Sequence, residues 1–365
     1  MNYPGRLAIQ QRVLTPYRAA LFDALAAACD GGVSVCAGRP RPVESIAVTD
    51  RLAAARFTPL DNLHLLRGPF YLCWQRGLLR WLQSENPSAL VVEANPRYLS
   101  TPAAVRWMKR RGRPVLGWGL GAPAPSGPLS GLRLLRRKRF LLQFDAMLTY
   151  SRQGAQEYAA LGFPAQRIFV APNAASPAPT WPLPQRPAGF AGPPNLLFVG
   201  RLQARKRVDL LLAACAALPQ ALQPGLVIVG DGPERAELEA LAQRIYPLAR
   251  FAGAKHGAEL APYFRAADLF VLPGTGGLAV QEAMSHGLPV IMGRGDGTND
   301  DLVRPGNGWQ LGEESLPALT AALTEALSDA GRLRRMGAES YRIVAQEINL
   351  GQMVGAFILA LSNLR

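Results

Sequence analysis

Short apolar runs recur along the whole chain, with helical patterns between them. Leu90–Val92, Pro114–Gly117, Ala146–Thr149 and Ile168–Ala171 lie in the first half; Leu196–Gly200, Leu226–Gly230, Leu269–Leu272 and Pro289–Met292 lie in the second. A strand buried on both faces needs such an unbroken run, and parallel strands are buried on both faces because crossover helices cover them. The pattern predicts α/β architecture on parallel sheets. A chain of 365 residues suits two domains, each large enough for its own core. Between the halves, Ala171–Asn195 holds eight prolines, among them Pro182, Pro184, Pro187, Pro193 and Pro194. Proline breaks helices and cannot donate to a sheet, so this stretch reads as a semi-rigid linker. The expected divisions are 1–172, a linker 173–194, a second domain 195–345 and a terminal segment 346–365; Ile343–Leu364 reads as helix. Ligands of open parallel sheets bind beyond the carboxyl ends of the strands, and the cleft between the domains is the expected site.

Charge divides at the same boundary. Residues 1–180 carry 23 Arg and Lys against 9 Asp and Glu, whereas residues 181–365 carry 17 of each. One basic cluster, Arg133 with Arg136, Arg137, Lys138 and Arg139, sits among leucines in Gly131–Leu142 and suits an anionic membrane surface as readily as a solvated face. Trp74 and Trp81 in the aromatic stretch Phe70–Leu82 read either as interfacial anchors or as core. No motif supports nucleic acid as a partner. No run is long enough to span a bilayer and the amino terminus lacks a signal-peptide layout, so a cytoplasmic, at most peripheral, protein is expected. Cys29, Cys36, Cys73 and Cys215 have no ligand spacing and read as free thiols; His64, His256 and His286 are isolated, so no metal or other cofactor is expected.

Two segments about 70 residues apart carry chemistry. Phe198–Lys206 ends an apolar strand at Gly200 and places Arg201 and Lys206 five residues apart over the following turn. A planar guanidinium and a point-charge ammonium there suit the negative charge that builds on a leaving diphosphate. The alternative is a pair of solvated charges before an amphipathic helix. In the second segment, strand Leu269–Leu272 leads through Pro273-Gly274-Thr275-Gly276-Gly277 into a helix from Leu278 that carries Glu282. Glycines there let an anion approach backbone N–H groups at a helix N-terminus.

Together these segments resemble the donor-sugar motifs of retaining glycosyltransferase family 4, whose members have the GT-B fold: two Rossmann-like domains with parallel sheets facing across a cleft. Gly200-Arg201-Leu202 with Lys206 matches the family's Gly-Arg-Leu-x3-Lys. Glu282-Ala283-Met284 and Gly287-Leu288-Pro289-Val290-Ile291 match its Glu-Ala-Met and Gly-x-Pro-Val. Gly230-Asp231-Gly232-Pro233 and the strand before Ala254-Lys255 sit where the family contacts the nucleotide. The resemblance is most specific over residues 195–310, and it implies that the first domain binds the acceptor and that the terminal helix, 346–365, packs back on that domain. It implies that Arg201 and Lys206 stabilise the leaving diphosphate and that Glu282 holds the ribose. Gly200, Asp231, Gly232, Ala254, Lys255, Gly274, Thr275, Gly276, Gly277 and Leu278 would surround the donor.

The chain departs from the family pattern in two places. The first glutamate of the usual pair falls at Gly274, and the histidine expected after a mid-domain strand is absent from Gly117-Trp118-Gly119-Leu120-Gly121. Trp118 there reads either as a stacking wall for a sugar or as a core side chain. The acceptor-side candidates are Gln11 and Arg12, in the turn read at Gln10–Tyr17, with Trp118 and Gly119.

The function this implies is metal-independent, retaining transfer of a sugar, hexosyltransferase-like, from a nucleotide-sugar donor to a hydroxyl of a glycan or lipid-linked acceptor. Polysaccharide, lipopolysaccharide or glycolipid assembly is the expected setting. The alternatives are another GT-B activity, a degenerate nucleotide-sugar-binding or partner subunit without catalysis, and a basic scaffold that needs no donor motif.

Overall fold

The computed structural model describes residues 2–364 except Ser45, Ala124, Ser126, Pro128, Leu129, Gly277, Arg294 and Asp296. The chain forms two compact units: Met1–Ala175 with Leu350–Arg365, and Ser176–Asn349.

In the first unit, strands β1 (Leu7–Val13), β2 (Val33–Gly38) and β3 (Arg56–Pro59) precede a hairpin of β4 (Asp61–Leu65) and β5 (Leu72–Arg76). Strands β6 (Ala89–Glu93), β7 (Val115–Gly119), β8 (Ala146–Thr149) and β9 (Ile168–Val170) follow. Helices α1 (Pro16–Ala27), α2 (Leu78–Glu85), α3 (Thr101–Lys109), α4 (Ser130–Leu141) and α5 (Arg152–Ala160) connect them. The sheet order is β3-β2-β1-β6-β7-β8-β9, with parallel pairing throughout. Its core lies on both faces: Leu21, Phe22 and Leu25 of α1 on one side, Trp81, Leu82, Val105 and Met108 on the other.

In the second unit the strands are β10 (Asn195–Val199), β11 (Gly225–Val229), β12 (Ala249–Gly253), β13 (Leu269–Leu272), β14 (Val290–Met292) and β15 (Gly308–Gln310). The helices are α6 (Val208–Ala217), α7 (Arg235–Ile245), α8 (Ala261–Ala266), α9 (Leu278–Ser285), α10 (Asn299–Leu302), α11 (Leu316–Leu327) and α12 (Ala330–Gln346). The order β12-β11-β10-β13-β14-β15 is again parallel. All eight apolar runs are strands, as predicted. The predicted strand preceding Ala254 is β12.

Three details differ from the sequence reading. Gln10, Gln11 and Arg12 belong to β1 rather than to a turn, because Gln10 and Gln11 are buried and hydrogen-bonded within the sheet region. The terminal helix is two helices: α12 stops where Asn349 Nδ2 donates to the Val344 and Ala345 carbonyls, and α13 (Leu350–Ser362) packs in the first unit. The proline-rich stretch from Ser176 onward is part of the second unit. Arg186 fixes it by donating to the carbonyls of Phe264, Arg265, Ala267 and His286, and Trp181 stacks on His286 with centroids 5.2 Å apart.

Candidate functional site

In the second unit, β10 lies between β11 and β13, and the crossovers leave it in opposite directions along the sheet. Such a switch point opens a crevice at the carboxyl ends of the strands. The loops that meet there carry the motif residues.

The loops after β10 and β11 lie directly against each other. Gly200 N–H donates to Val229 O (3.0 Å) and Leu202 N–H to Asp231 O (2.9 Å). A Cβ on Gly230 would stand 1.9 Å from Gly200 O, and one on Gly232 would stand 2.2 Å from Leu202 O, so glycine is required at both. Leu202 is fully buried and anchors the turn; Arg201, beside it, is exposed. Asp231 accepts from Gly232 N–H at 2.7 Å and pairs with Arg235 at 3.2 Å, while Lys255 pairs with Glu259 at 3.6 Å.

The loops after β10 and β13 are joined more tightly. Thr275 N–H donates to Arg205 O at 3.0 Å, and Arg205 Nη1 donates to Thr275 Oγ1 at 3.2 Å. Lys206 is 9% exposed and its Nζ donates to Thr275 O at 2.5 Å. Burial, with repulsion from Arg205, pulls the Lys206 ammonium down to about 8. A Cβ on Gly274 would lie 2.1 Å from Arg205 O, and one on Gly276 would lie 2.0 Å from Lys206 Nζ. The position where the family carries its first glutamate is therefore filled by backbone and admits no side chain.

Glu282 projects from α9 one turn beyond Leu278. Burial raises its carboxyl pKa, and among the described residues none donates to the carboxylate. A carboxylate that loses water without gaining a partner is poised for hydroxyl or amide donors from outside. Leu278 is 41% exposed; Gly277 lies outside the described residues. The turn thus brings Lys206, Thr275, Gly276 and the start of α9 together. Arg205 was missed in the sequence, although its place beside Lys206 was the available signal.

The acceptor-side candidates fare differently. Trp118 is 2% exposed inside β7, edge-on to Phe22 and Phe357 with centroids 6.5 and 5.0 Å away. It is a core side chain and not a stacking wall, because β7 runs to Gly119 and carries it inside. Gly119 itself faces the Tyr158 hydroxyl, 2.5 Å from where a Cβ would stand. Gln11 is 5% exposed, and its carbonyl accepts from Gln75 Nε2 at 2.9 Å. Arg12 pairs with Glu44 at 2.8 Å. The sequence missed Glu93 at the end of β6, whose carboxyl is raised by burial against the opposing Arg12 amide and Tyr98 hydroxyl. It also missed Arg18, 5% exposed, which lies about 5 Å from the rings of Tyr17, Trp118 and Tyr150. These residues are spread over more than 130 positions and have no common spacing.

Residues 193–329 match the family described as glycosyl transferases group 1, and residues 14–174 match the glycosyl transferase 4-like domain. The chain belongs to the group 1 glycosyltransferases. Within that family it is 37% identical over 166 residues to the GDP-mannose-dependent alpha-mannosyltransferase of Mycolicibacterium smegmatis, covering 43% of this chain and 42% of that one. It is 29% identical over 299 residues to the D-inositol 3-phosphate glycosyltransferase of Kineococcus radiotolerans, covering 74% and 65%. The match spans less than half the length of the mannosyltransferase relatives. Among solved structures, HepE of Anabaena in complex with UDP superposes with a TM-score of 0.69 at 16% identity over all of both chains. The lipopolysaccharide outer core galactosyltransferase WaaB does so with 0.68 at 16% over 98% and 99%. These place the two Rossmann-like units in the GT-B fold.

Proposed function

We propose that the chain transfers a sugar from a nucleotide-sugar donor to a hydroxyl acceptor with retention of configuration. The observation that carries this reading is the closed junction of the loops after β10 and β13, which brings Lys206 beside the start of α9, while among the described residues nothing donates to the Glu282 carboxylate. The donor diphosphate would draw the Lys206 ammonium and the exposed Arg201 onto its oxygens, supplying counter-charge as the glycosidic bond to phosphate breaks. The backbone N–H groups of Gly276 and Leu278 add donors at the helix start. Glu282 accepts from the ribose hydroxyls. With this counter-charge the reaction is read as metal-independent. The acceptor is a glycan or lipid-linked hydroxyl in polysaccharide, lipopolysaccharide or glycolipid assembly, with the amino-terminal unit binding it. Relatives and neighbours named for GDP-mannose, UDP and UDP-glucose support a nucleotide-sugar donor.

Among the described residues no single helix is long and apolar enough to cross a membrane. We read the protein as peripheral on a cytoplasmic face. The first two turns of α4 support this: Leu132, Leu134 and Leu135 are exposed at 47%, 40% and 45% between Arg133, Arg136, Lys138 and Arg139.

A second reading, a nucleotide-sugar-binding subunit without catalysis, is favoured by the closure of the Gly274 position. A thermal-shift series with UDP, GDP, ADP and their sugar conjugates, with and without EDTA, separates the readings when combined with turnover. Stabilisation by one nucleotide that survives EDTA, together with hydrolysis or transfer of its sugar, supports the enzyme. Stabilisation without turnover supports the binding subunit. No response to any nucleotide would sink both.

A further inference from the structure

The β4–β5 hairpin is built with its apolar face outward. Leu63 pairs with Trp74, Leu65 with Leu72 and Asp61 with Arg76 on one face; Asn62 pairs with Gln75 and His64 with Cys73 on the other. Directly opposed residues share a face, so the two sets are separated cleanly. The polar set is the one turned inward. Asn62 Nδ2 donates to the Arg12 and Arg39 carbonyls at 2.7 and 3.0 Å, and Gln75 Nε2 to Gln11 O at 2.9 Å. Gln10 Nε2 donates to Gln75 Oε1 at 2.9 Å, and His64 bonds the Tyr71 hydroxyl and Arg39 O. Hydrogen bonds, not apolar burial, hold the hairpin on the unit.

The outward face consequently stands in solvent. Leu63 is 40% exposed, Trp74 48%, and at the tip Leu66 is 63% and Phe70 74% exposed. Leu79 and Leu99 line a groove of about 1370 Å³ together with Trp74, and its wall also carries Asp50, Asp61, Arg76 and Arg80. An antiparallel hairpin on a water-soluble body ordinarily wets its polar face. Large apolar side chains gathered on the exposed face and tip of one hairpin mark a docking surface. Its rim is cationic: Arg67, Arg76, Arg80 and Arg97 are exposed, none of them pairs with an acid among the described residues, and Asp61 is the only acid in Asp61–Leu82.

We infer that this hairpin inserts its outward face into the interfacial layer of an anionic lipid bilayer, with Phe70, Leu66 and Trp74 among the acyl-chain ends and the arginines on headgroup phosphates. The amphipathic tryptophan and the apolar tip ringed by arginine suit that layer. A second copy of the chain is a poorer occupant, because residues 1–180 carry 23 cations against 9 acids and would repel their own kind. The inference rests on the peripheral reading given above and adds the surface that makes the contact; it does not depend on sugar transfer.

The test uses the full chain and vesicles of phosphatidylglycerol and phosphatidylcholine mixed about one to one. Phe70→Ser with Trp74→Ser should lower flotation with these vesicles at least about tenfold while the melting temperature stays within about 2 °C, since both side chains face solvent. Unchanged flotation overturns the proposal. Because Cys29, Cys36, Cys73 and Cys215 are all buried, Phe70→Cys takes an environment-sensitive fluorophore selectively. Its emission should shift to the blue on adding vesicles; an unshifted probe on floating protein overturns the proposal even if α4 binds lipid. A variant that alters self-association in sedimentation but not flotation makes the hairpin a protein interface and likewise overturns it. Nucleotide-induced thermal shifts read on the same variants test sugar transfer separately.

Discussion

Lys206 Nζ rests on the carbonyl oxygen of Thr275, and the bond fastens the glycine turn after β13 to the loop after β10. A buried ammonium held by a neutral carbonyl lacks the counter-charge it needs. A diphosphate would supply it, so donor affinity and the charge on Lys206 are linked.

Lys206→Met should lower turnover about 100-fold or more while stabilising the fold. The Lys206 ammonium is depressed to about 8, below its ordinary value of 10.5, so the unfolded chain binds the extra proton between those values. The destabilisation is full below pH 8 and is relieved as pH rises through 8 to 10.5. Removing the ammonium should add about 2 kcal/mol at pH 7, after about 1 kcal/mol is deducted for the lost Thr275 bond. Denaturant unfolding of both proteins from pH 7 to 10.5 should show the two curves converging.

Nucleotide affinity should weaken as pH rises through about 8, because the neutral amine no longer attracts the diphosphate. Calorimetric titration of the nucleotide found by thermal shift should show it. A flat profile from pH 7 to 9.5 would remove Lys206 from the diphosphate.

Gly274→Glu, which restores the family's usual residue, should not restore anything. The new Cβ meets Arg205 O at 2.1 Å, so the two loops must part. We expect Gly274→Ala alone to cost about 1–3 kcal/mol, read from urea midpoints, and the glutamate to cost at least as much.

His286 lies between Phe264 and Trp181, with ring centroids 5.2 Å from each. Burial, then Arg265 and Arg186, pushes its imidazolium down to about 4 from 6.5. The stability of the neutral form is complete above pH 6.5 and is lost as pH falls toward 4, about 3 kcal/mol in all. His286→Phe should flatten that window in a pH series of thermal melts.

Arg186→Ala should release the proline-rich strap. Four carbonyls lose their donor, including Ala267 O at 2.5 Å and His286 O at 3.1 Å. Hydrogen exchange should rise sharply across residues 176–194, and the unit should lose about 2–4 kcal/mol.

The second unit was the more legible half. Its strands are unbroken apolar runs, and its candidate site residues lie in two short segments whose glycines and charges keep a fixed spacing. The first unit hid its candidate residues. β1 reads poorly because Gln10 and Gln11 interrupt the apolar run, yet both are buried by partners from Gln75 far along the chain. Trp118 could not be placed, since a tryptophan between glycines fits a turn or a core strand equally. Trp74 and Trp81, one heptad apart, divided: Trp81 is 4% exposed in the core and Trp74 stands on the hairpin's outer face. No local pattern reveals an inverted hairpin, because alternation fixes which residues share a face but not which face is wet.

The return of α13 to the first unit sets an order of assembly on the ribosome. Met353, Phe357 and Leu361 complete the core around Phe22 and Trp118, but they are synthesised only after the entire second unit. The first unit to emerge therefore cannot be the first to finish. Until residue 350 and its successors are released, the apolar wall of α1 waits uncovered, a natural stopping place for chaperones.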